Sequence, residues 1–258
     1  MKKLSTLLAV GTFLMAAGSA LALPLNENRP FTPNASPVGE SSLQTILADN
    51  FNNTALQQSS AGVWQTTDGS PAAYAVAFMK GDAGNFGIYS YTTGQEVVLM
   101  TNPAVKKTMT FNIDADGNLV DGNGETLSAA FGYSFGFFWR DTTTPSIAYT
   151  EDSKNGTTGW GVDSNIRALA YLIPDNTQIT GTLATYFAPS GQIAKNDDDW
   201  ALAFEDLSTS NGSDGDFNDA VFYVKDLDPV PEPGTMVLLG AGLLGLAIYG
   251  KRRMNKEV

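Results

Sequence analysis

The stretch from Asn196 to Asp219, NDDDWALAFEDLSTSNGSDGDFND, concentrates the side chains able to do chemistry. Eight carboxylates fall in the 29 residues between Lys195 and Lys225, with no lysine or arginine among them. Carboxylates this crowded must protonate, spread into water or share a cation. Calcium suits an all-oxygen set, being a hard ion that takes roughly 6–8 oxygens at about 2.3–2.6 Å. Asp214, Asp216 and Asn218 recur at every second position, the ligand spacing at the head of a calcium loop. The turn glycine of an EF-hand is missing, so this is not one. A merely solvated acidic loop is the alternative. Glu205 and Asp216 are also the pair that could act as acid and nucleophile in glycoside hydrolysis, which needs no histidine.

The rest of the composition narrows the chemistry. The 258 residues include no histidine and no cysteine. That excludes Ser-His-Asp catalysis, imidazole or thiolate metal sites, disulfides and cysteine nucleophiles. The net charge of −12 argues against nucleic acid, whose phosphates would be repelled. Between Leu23 and Pro233 the 26 acids outnumber nine bases, a net −17, which attracts cations. An enzyme is therefore not expected.

The elements that position these groups read as β-strands. Segments 74–79, 85–91, 96–100, 107–113, 147–149, 166–172, 182–187, 200–204 and 220–224 are strand-length runs separated by turn residues. Phe131, Tyr133, Phe135, Phe137 and Trp139 alternate with small residues. They form either a carbohydrate platform or, as favoured, a core strand, since five outward aromatics would leave a large sticky patch. Trp200, Leu202 and Phe204 alternate with Ala201 and Ala203, so one strand delivers Glu205 and Asp206 at its end. A short helix is expected at 41–47, capped by Ser41 or Ser42. The expectation is an all-β, sandwich or jelly-roll-like single domain over 41–228, after an extended lead-in over 23–40. Asn112 to Glu125 imitates an EF-hand loop, but no frame completes it. Its Asp116-Gly117 and Asp121-Gly122 pairs read more simply as hairpin turns.

Both ends read as addresses. Lys2 and Lys3, an apolar run and the small-x-small site Ala20-Leu21-Ala22 form a signal peptide over 1–22. At the other end Pro231, Glu232 and Pro233 precede an apolar run over 235–250, then Lys251, Arg252 and Arg253, with a cytoplasmic tail at 254–258. Sixteen residues at about 1.5 Å each are short for a hydrocarbon core of roughly 30 Å. The order of features over 229–253 resembles the PEP-CTERM sorting signal. That resemblance implies export through the general secretion machinery and processing by an exosortase at the inner membrane. It also implies a cell-envelope, surface or exopolysaccharide-matrix location in a Gram-negative-type bacterium. A permanent tail anchor is the alternative.

Phe204-Glu205-Asp206-Leu207, then Asp214-Gly215-Asp216-Phe217-Asn218-Asp219 and an apolar strand, resemble the domain of unknown function 4114. Phe86-Gly87-Ile88-Tyr89, Phe135-Gly136-Phe137-Phe138 and the loop 149–155 agree, with the strongest match over 126–228. The resemblance implies a β-rich fold and calcium at Glu205, Asp206, Asp214, Asp216, Asn218 and Asp219, with no established activity. A calcium-dependent, lectin-like module is the second expectation. It would need Trp64, Trp139, Trp160 or Trp200 exposed beside the acidic loop.

Overall fold

The computed structural model describes residues 26, 29–52, 56–66, 74–81, 83–103, 107–144, 146–181, 183–184, 199–230, 242 and 244. Among them fourteen strands form two antiparallel sheets. The larger sheet runs in the order β1 (Gln57–Ser59), β11 (Ala168–Ile173), β12 (Asp199–Phe204), β13 (Ala220–Val224), β3 (Tyr74–Gly81), β6 (Thr108–Ile113), β7 (Leu119–Asp121), β8 (Thr126–Ser128). The smaller runs β14 (Asp228–Pro229), β2 (Trp64–Gln65), β9 (Ser134–Asp141), β4 (Gly84–Ser90), β5 (Glu96–Thr101), with β10 (Ile147–Tyr149) also on β9. This is the expected all-β sandwich.

The inner faces meet through aromatic side chains. Phe86 of β4 stacks on Phe222 of β13 with ring centroids 4.0 Å apart. Trp64 of β2 meets Trp200 of β12 edge to face at 5.6 Å. Phe135, Phe137 and Trp139 point into the same core and are fully buried. The aromatic strand is thus a core strand. It begins at Ser134 rather than 131, so Tyr133 lies before it and is 42% exposed, its hydroxyl donating to the Ala115 carbonyl at 2.7 Å. Glycines 84, 87 and 136 have no room for a Cβ, which would fall 2.1–2.3 Å from Trp139, Phe138 and Tyr89 respectively. Large rings packed across a sheet leave only hydrogen at the opposing position.

The larger sheet is also covered on its other face. Leu169, Tyr171, Ile173, Ala201, Ala203, Val221 and Tyr223 pack there with the helix α1 (Leu43–Asn50). Ser42 caps α1 by accepting from the Thr45 N–H at 3.2 Å. Leu43, Ile46, Leu47 and Asn50 are its buried side. Alanine at 201 and 203 lets the helix lie close, and every residue of β12 and β13 is buried.

The strand expected over 182–187 is not found at the two of its residues that are described, 183 and 184. Residues 181, 183 and 184 are helical, and Thr182 and 185–187 lie outside the described residues. The reason is local packing: Leu183 is buried against the α1 layer, and its N–H donates to the Asn50 side chain at 3.2 Å. The signal peptide with Ala20 and Ala22, and the tail from Pro231 to Arg253 apart from 242 and 244, also lie outside the described residues. Among the described residues no helix is long and apolar enough to cross a membrane.

Candidate functional site

Strands β11 and β12 deliver the first half of the site. Their ladder continues one step past Phe204, where the Glu205 N–H donates to the Arg167 carbonyl at 3.0 Å. Arg167 therefore faces Glu205 across the ladder. Its guanidinium is buried and donates to the carbonyls of Glu205 (3.1 Å), Asp206 and Ile147 (3.1 Å), and to Ser146 Oγ at 2.8 Å. Burial lowers its pKa, while Glu205, Asp206 and Asp219 oppose that shift. The acidic stretch lacks a counter-charge in sequence but not in space, which corrects the expectation drawn from 196–224. An arginine heading the apolar run 166–172 was the available signal.

The loop before β13 supplies the second half. Gly215 adopts φ +76°, and a Cβ there would fall 2.5 Å from the Trp160 indole. Phe217 takes φ +58°, held there by a fully buried ring packed edge to face on Phe31 at 5.6 Å. These two left-handed residues bend the chain, so the every-second-residue spacing does not make one row of ligands. It makes two groups. One carboxylate oxygen from each of Glu205, Asp206 and Asp219 lies within 4.8 Å of the others. Glu40, Asp214 and Asp216 form the second set by the same measure. Glu40 comes from the lead-in, and nothing in its surroundings in the sequence marks it.

The first group is the more deeply placed. Glu205 is 1% exposed. Burial, then the charge of Asp219 and a hydrogen bond shared with it, push the Glu205 carboxyl up to about 9. Burial also raises Asp219, whose Oδ2 accepts the Asp206 N–H at 2.9 Å. Glu205 Oε2 accepts the Phe217 N–H at 3.4 Å. In the second group burial raises Asp216. Asn218 braces the group, its N–H donating to Asp216 Oδ1 at 3.1 Å and its amide to the Asp216 carboxylate, to Ser36 Oγ at 3.1 Å and to the Ser41 carbonyl at 3.0 Å. Asn34 holds the same loop from the lead-in, its N–H donating to the Gly215 carbonyl at 2.9 Å.

The donors are all oxygen and mostly charged, which fits a hard divalent cation and not a soft one. Five of the six residues singled out in the sequence gather at one end of the β12–β13 hairpin, in two sets rather than one, and Asn218 joins neither but braces Asp216. Asp199 is elsewhere: Tyr223 donates to it at 2.6 Å. The 112–125 segment is two turns. Asp114 accepts the N–H groups of Asp116 (3.0 Å) and Asn118 (2.8 Å), and Asp121 those of Asn123 and Glu125 (both 2.9 Å). Those hydrogen bonds lower both pKa values and use the oxygens a metal would need. Of the four tryptophans, 64, 139 and 200 are buried. Trp160 is partly buried beside the acidic loop, its indole N–H donating to Ser213 Oγ at 2.7 Å. A cleft of about 840 Å³ opens between residues 32–36 and α1, with Glu40 and Asp216 in its wall.

No curated protein and no solved structure matches the chain. Residues 130–226 match the family described as Domain of unknown function (DUF4114), which spans β9 to β13 and with them both halves of the site except Glu40. Residues 229–253 match the PEP-CTERM protein-sorting motif, starting inside β14. The sorting motif marks an exported cell-envelope protein of the kind sorted by an exosortase, and the part of the folded body that carries the acidic hairpin end matches the DUF4114 model.

Proposed function

We propose that the folded body is a calcium-stabilised, non-catalytic module that the sorting tail delivers to the cell surface or the exopolysaccharide matrix. One observation carries this reading: Glu205, Asp206 and Asp219 are drawn within 4.8 Å of one another at a largely buried strand end. Burial there keeps Glu205 protonated well above the usual carboxylate range. A divalent cation would replace that proton and tie β12 to β13. A second cation at Glu40, Asp214 and Asp216 would tie the lead-in to the same hairpin.

The non-catalytic reading is supported by burial: Glu205 and Asp216 are each 1% exposed, whereas a glycosidase pair must reach both sides of a substrate bond. The carbohydrate alternative has one specific support, the cleft beside Asp216, with Thr32, Ser36, Ser41, Ser42 and Thr45 hydroxyls in its wall. It lacks an exposed aromatic platform among the four tryptophans.

Thermal unfolding of residues 23–230 in calcium and in EDTA tests the proposal. A cation at about 100 times its Kd adds roughly 2.7 kcal/mol. For a body of this size that is a rise of about 5–10 °C in Tm. Equal melting in the two conditions rejects it. Titration with exopolysaccharide, with and without calcium, separates the matrix role from the carbohydrate alternative.

A further inference from the structure

The residues bonded to the smaller sheet run directly up to the Pro-Glu-Pro motif. Leu227 is fully buried, and its carbonyl accepts the Trp200 indole N–H at 2.9 Å. Asp228 and Pro229 then pair with Gln65 and Trp64 as β14 on β2, at the end of the smaller sheet. The Val230 N–H donates to the Val63 carbonyl at 3.1 Å. Pro231 follows directly. No spacer separates the sheet from the motif.

That junction poses a problem for any enzyme that works on the motif. Enzymes and receptors that read extended chain use its main-chain N–H and C=O groups. Those of the residues just before the motif are already engaged by β2. The same junction also offers the solution. β14 has two residues, lies on an edge and contains a proline that gives the ladder no N–H. Leu227, by contrast, is fixed in the core.

We propose that β14 is a releasable edge strand: residues 228–230 leave β2 when the sorting partner engages the motif, with Leu227 as the fixed point. Release of three residues at about 3.3 Å each gives the motif roughly 10 Å of reach from the body. The proposal rests on the reading that an exosortase processes the tail, and it adds a structural step before that processing.

The chain has no cysteine, so Gln65→Cys with Asp228→Cys makes a unique pair. Directly opposed residues in an antiparallel ladder lie about 5.5 Å apart at Cα or closer, within disulfide range. Purified full-length protein in detergent, oxidised or reduced, is treated with a proline-specific endoprotease, and cleavage at 231–233 is followed by mass. Oxidation should slow cleavage by about tenfold or more, because cutting then requires opening that the lock forbids. Equal rates overturn the proposal. In the cells that sort the protein, the locked variant should keep its C-terminal segment by intact mass. A Gly/Ser insert of about ten residues between Val230 and Pro231 should restore processing to the locked chain. Processing of the locked chain without the insert, or failure of the insert to restore it, also overturns the proposal. A Pro231→Ala, Pro233→Ala chain that is processed normally rejects instead the exosortase reading on which the step rests.

Discussion

Arg167 stands opposite Glu205 one step beyond the β11–β12 ladder, and the two are joined twice. The Glu205 N–H donates to the Arg167 carbonyl at 3.0 Å, and Arg167 Nη2 donates to the Glu205 carbonyl at 3.1 Å. The guanidinium thereby fixes the backbone that presents Glu205 and Asp206, and it sets one positive charge beneath three acids. Arg167→Met removes both. The metal-free chain should lose about 3–5 kcal/mol, the usual cost of leaving buried charge uncompensated. Arg167→Lys should fall between, since an ammonium lacks the planar fork that reaches several carbonyls. Urea unfolding in EDTA measures the loss. Calcium should shrink it, because the cation then supplies the missing charge, and a wild-type midpoint for the Met variant refutes the account.

Glu205→Gln separates proton from cation. A neutral amide resembles the protonated carboxyl, so the variant in EDTA at pH 7 should lie within about 0.5–1 kcal/mol of the parent chain. It should nevertheless lose most of the calcium response. Asp219→Asn should lose the response as well. Asp114→Asn is the control: its carboxylate serves the Asp116 and Asn118 N–H groups, and the calcium response should be unchanged. Differential scanning fluorimetry across a calcium series reads all three. A retained response in both Glu205→Gln and Asp219→Asn rejects this group as the site.

The pH dependence has a definite sign. Glu205 is raised to about 9 and Asp152 to about 6, chiefly by burial. A carboxyl whose folded pKa is raised holds its proton more tightly when folded. The stability it contributes is present below the unfolded value and lost as pH rises through the folded one. Asp114, Asp121 and Asp141 are lowered, so what they contribute is lost on the acid side, below about pH 4. The metal-free chain should therefore be most stable near pH 4–5 and decline by a few kcal/mol toward pH 9. Calcium should reverse the decline, and its uptake near pH 7.5 should release about one proton. Calorimetry in two buffers of different ionisation enthalpy counts that proton. Metal-free stability that rises from pH 5 to 9 contradicts the assignment.

What could be read beforehand follows from how local each signal is. The inward aromatics of β9, the turns at Asp114 and Asp121 and the Ser42 cap depend on neighbours within a few residues, and their spacing exposes them. The acidic segment was legible as a crowd of carboxylates at one hairpin end, but its division in two was not. That division comes from Phe217 at φ +58°, a conformation held by burial against Phe31 and invisible in an alternating pattern. Arg167 and Glu40 joined the site across long sequence separations, through strand pairing and through the lead-in. The strand expected at 182–187 is absent at 183 and 184 for a similar reason. Its apolar residues matched a strand, yet Leu183 is packed beneath the end of α1.

The lead-in is held at both ends by polar contacts, and the end farther from the site has a buried charged anchor. Arg29 pairs with Asp152 at 3.0 Å, with each side chain 4% exposed, and it also donates to the Ala168 carbonyl at 3.1 Å. Asn26 lies beside this pair, its Oδ1 accepting the Asp152 N–H at 2.8 Å. From there the chain passes the Gln58 side chain, which brackets Phe31, and reaches Asn34 and Ser36 at the acidic loop. Arg29→Met leaves Asp152 buried without its cation and should cost about 3–5 kcal/mol. Asp152 should then titrate higher still, so the loss should be smaller at pH 5 than at pH 8. Because Glu40 belongs to the same segment, loosening Arg29 should also weaken calcium binding at Glu40, Asp214 and Asp216, while Glu205, Asp206 and Asp219 keep theirs. Two-site calcium titration of the parent and variant chains distinguishes the sets. An Arg29→Met chain with both sites unchanged would mean that the lead-in reaches the acidic loop independently of its far anchor.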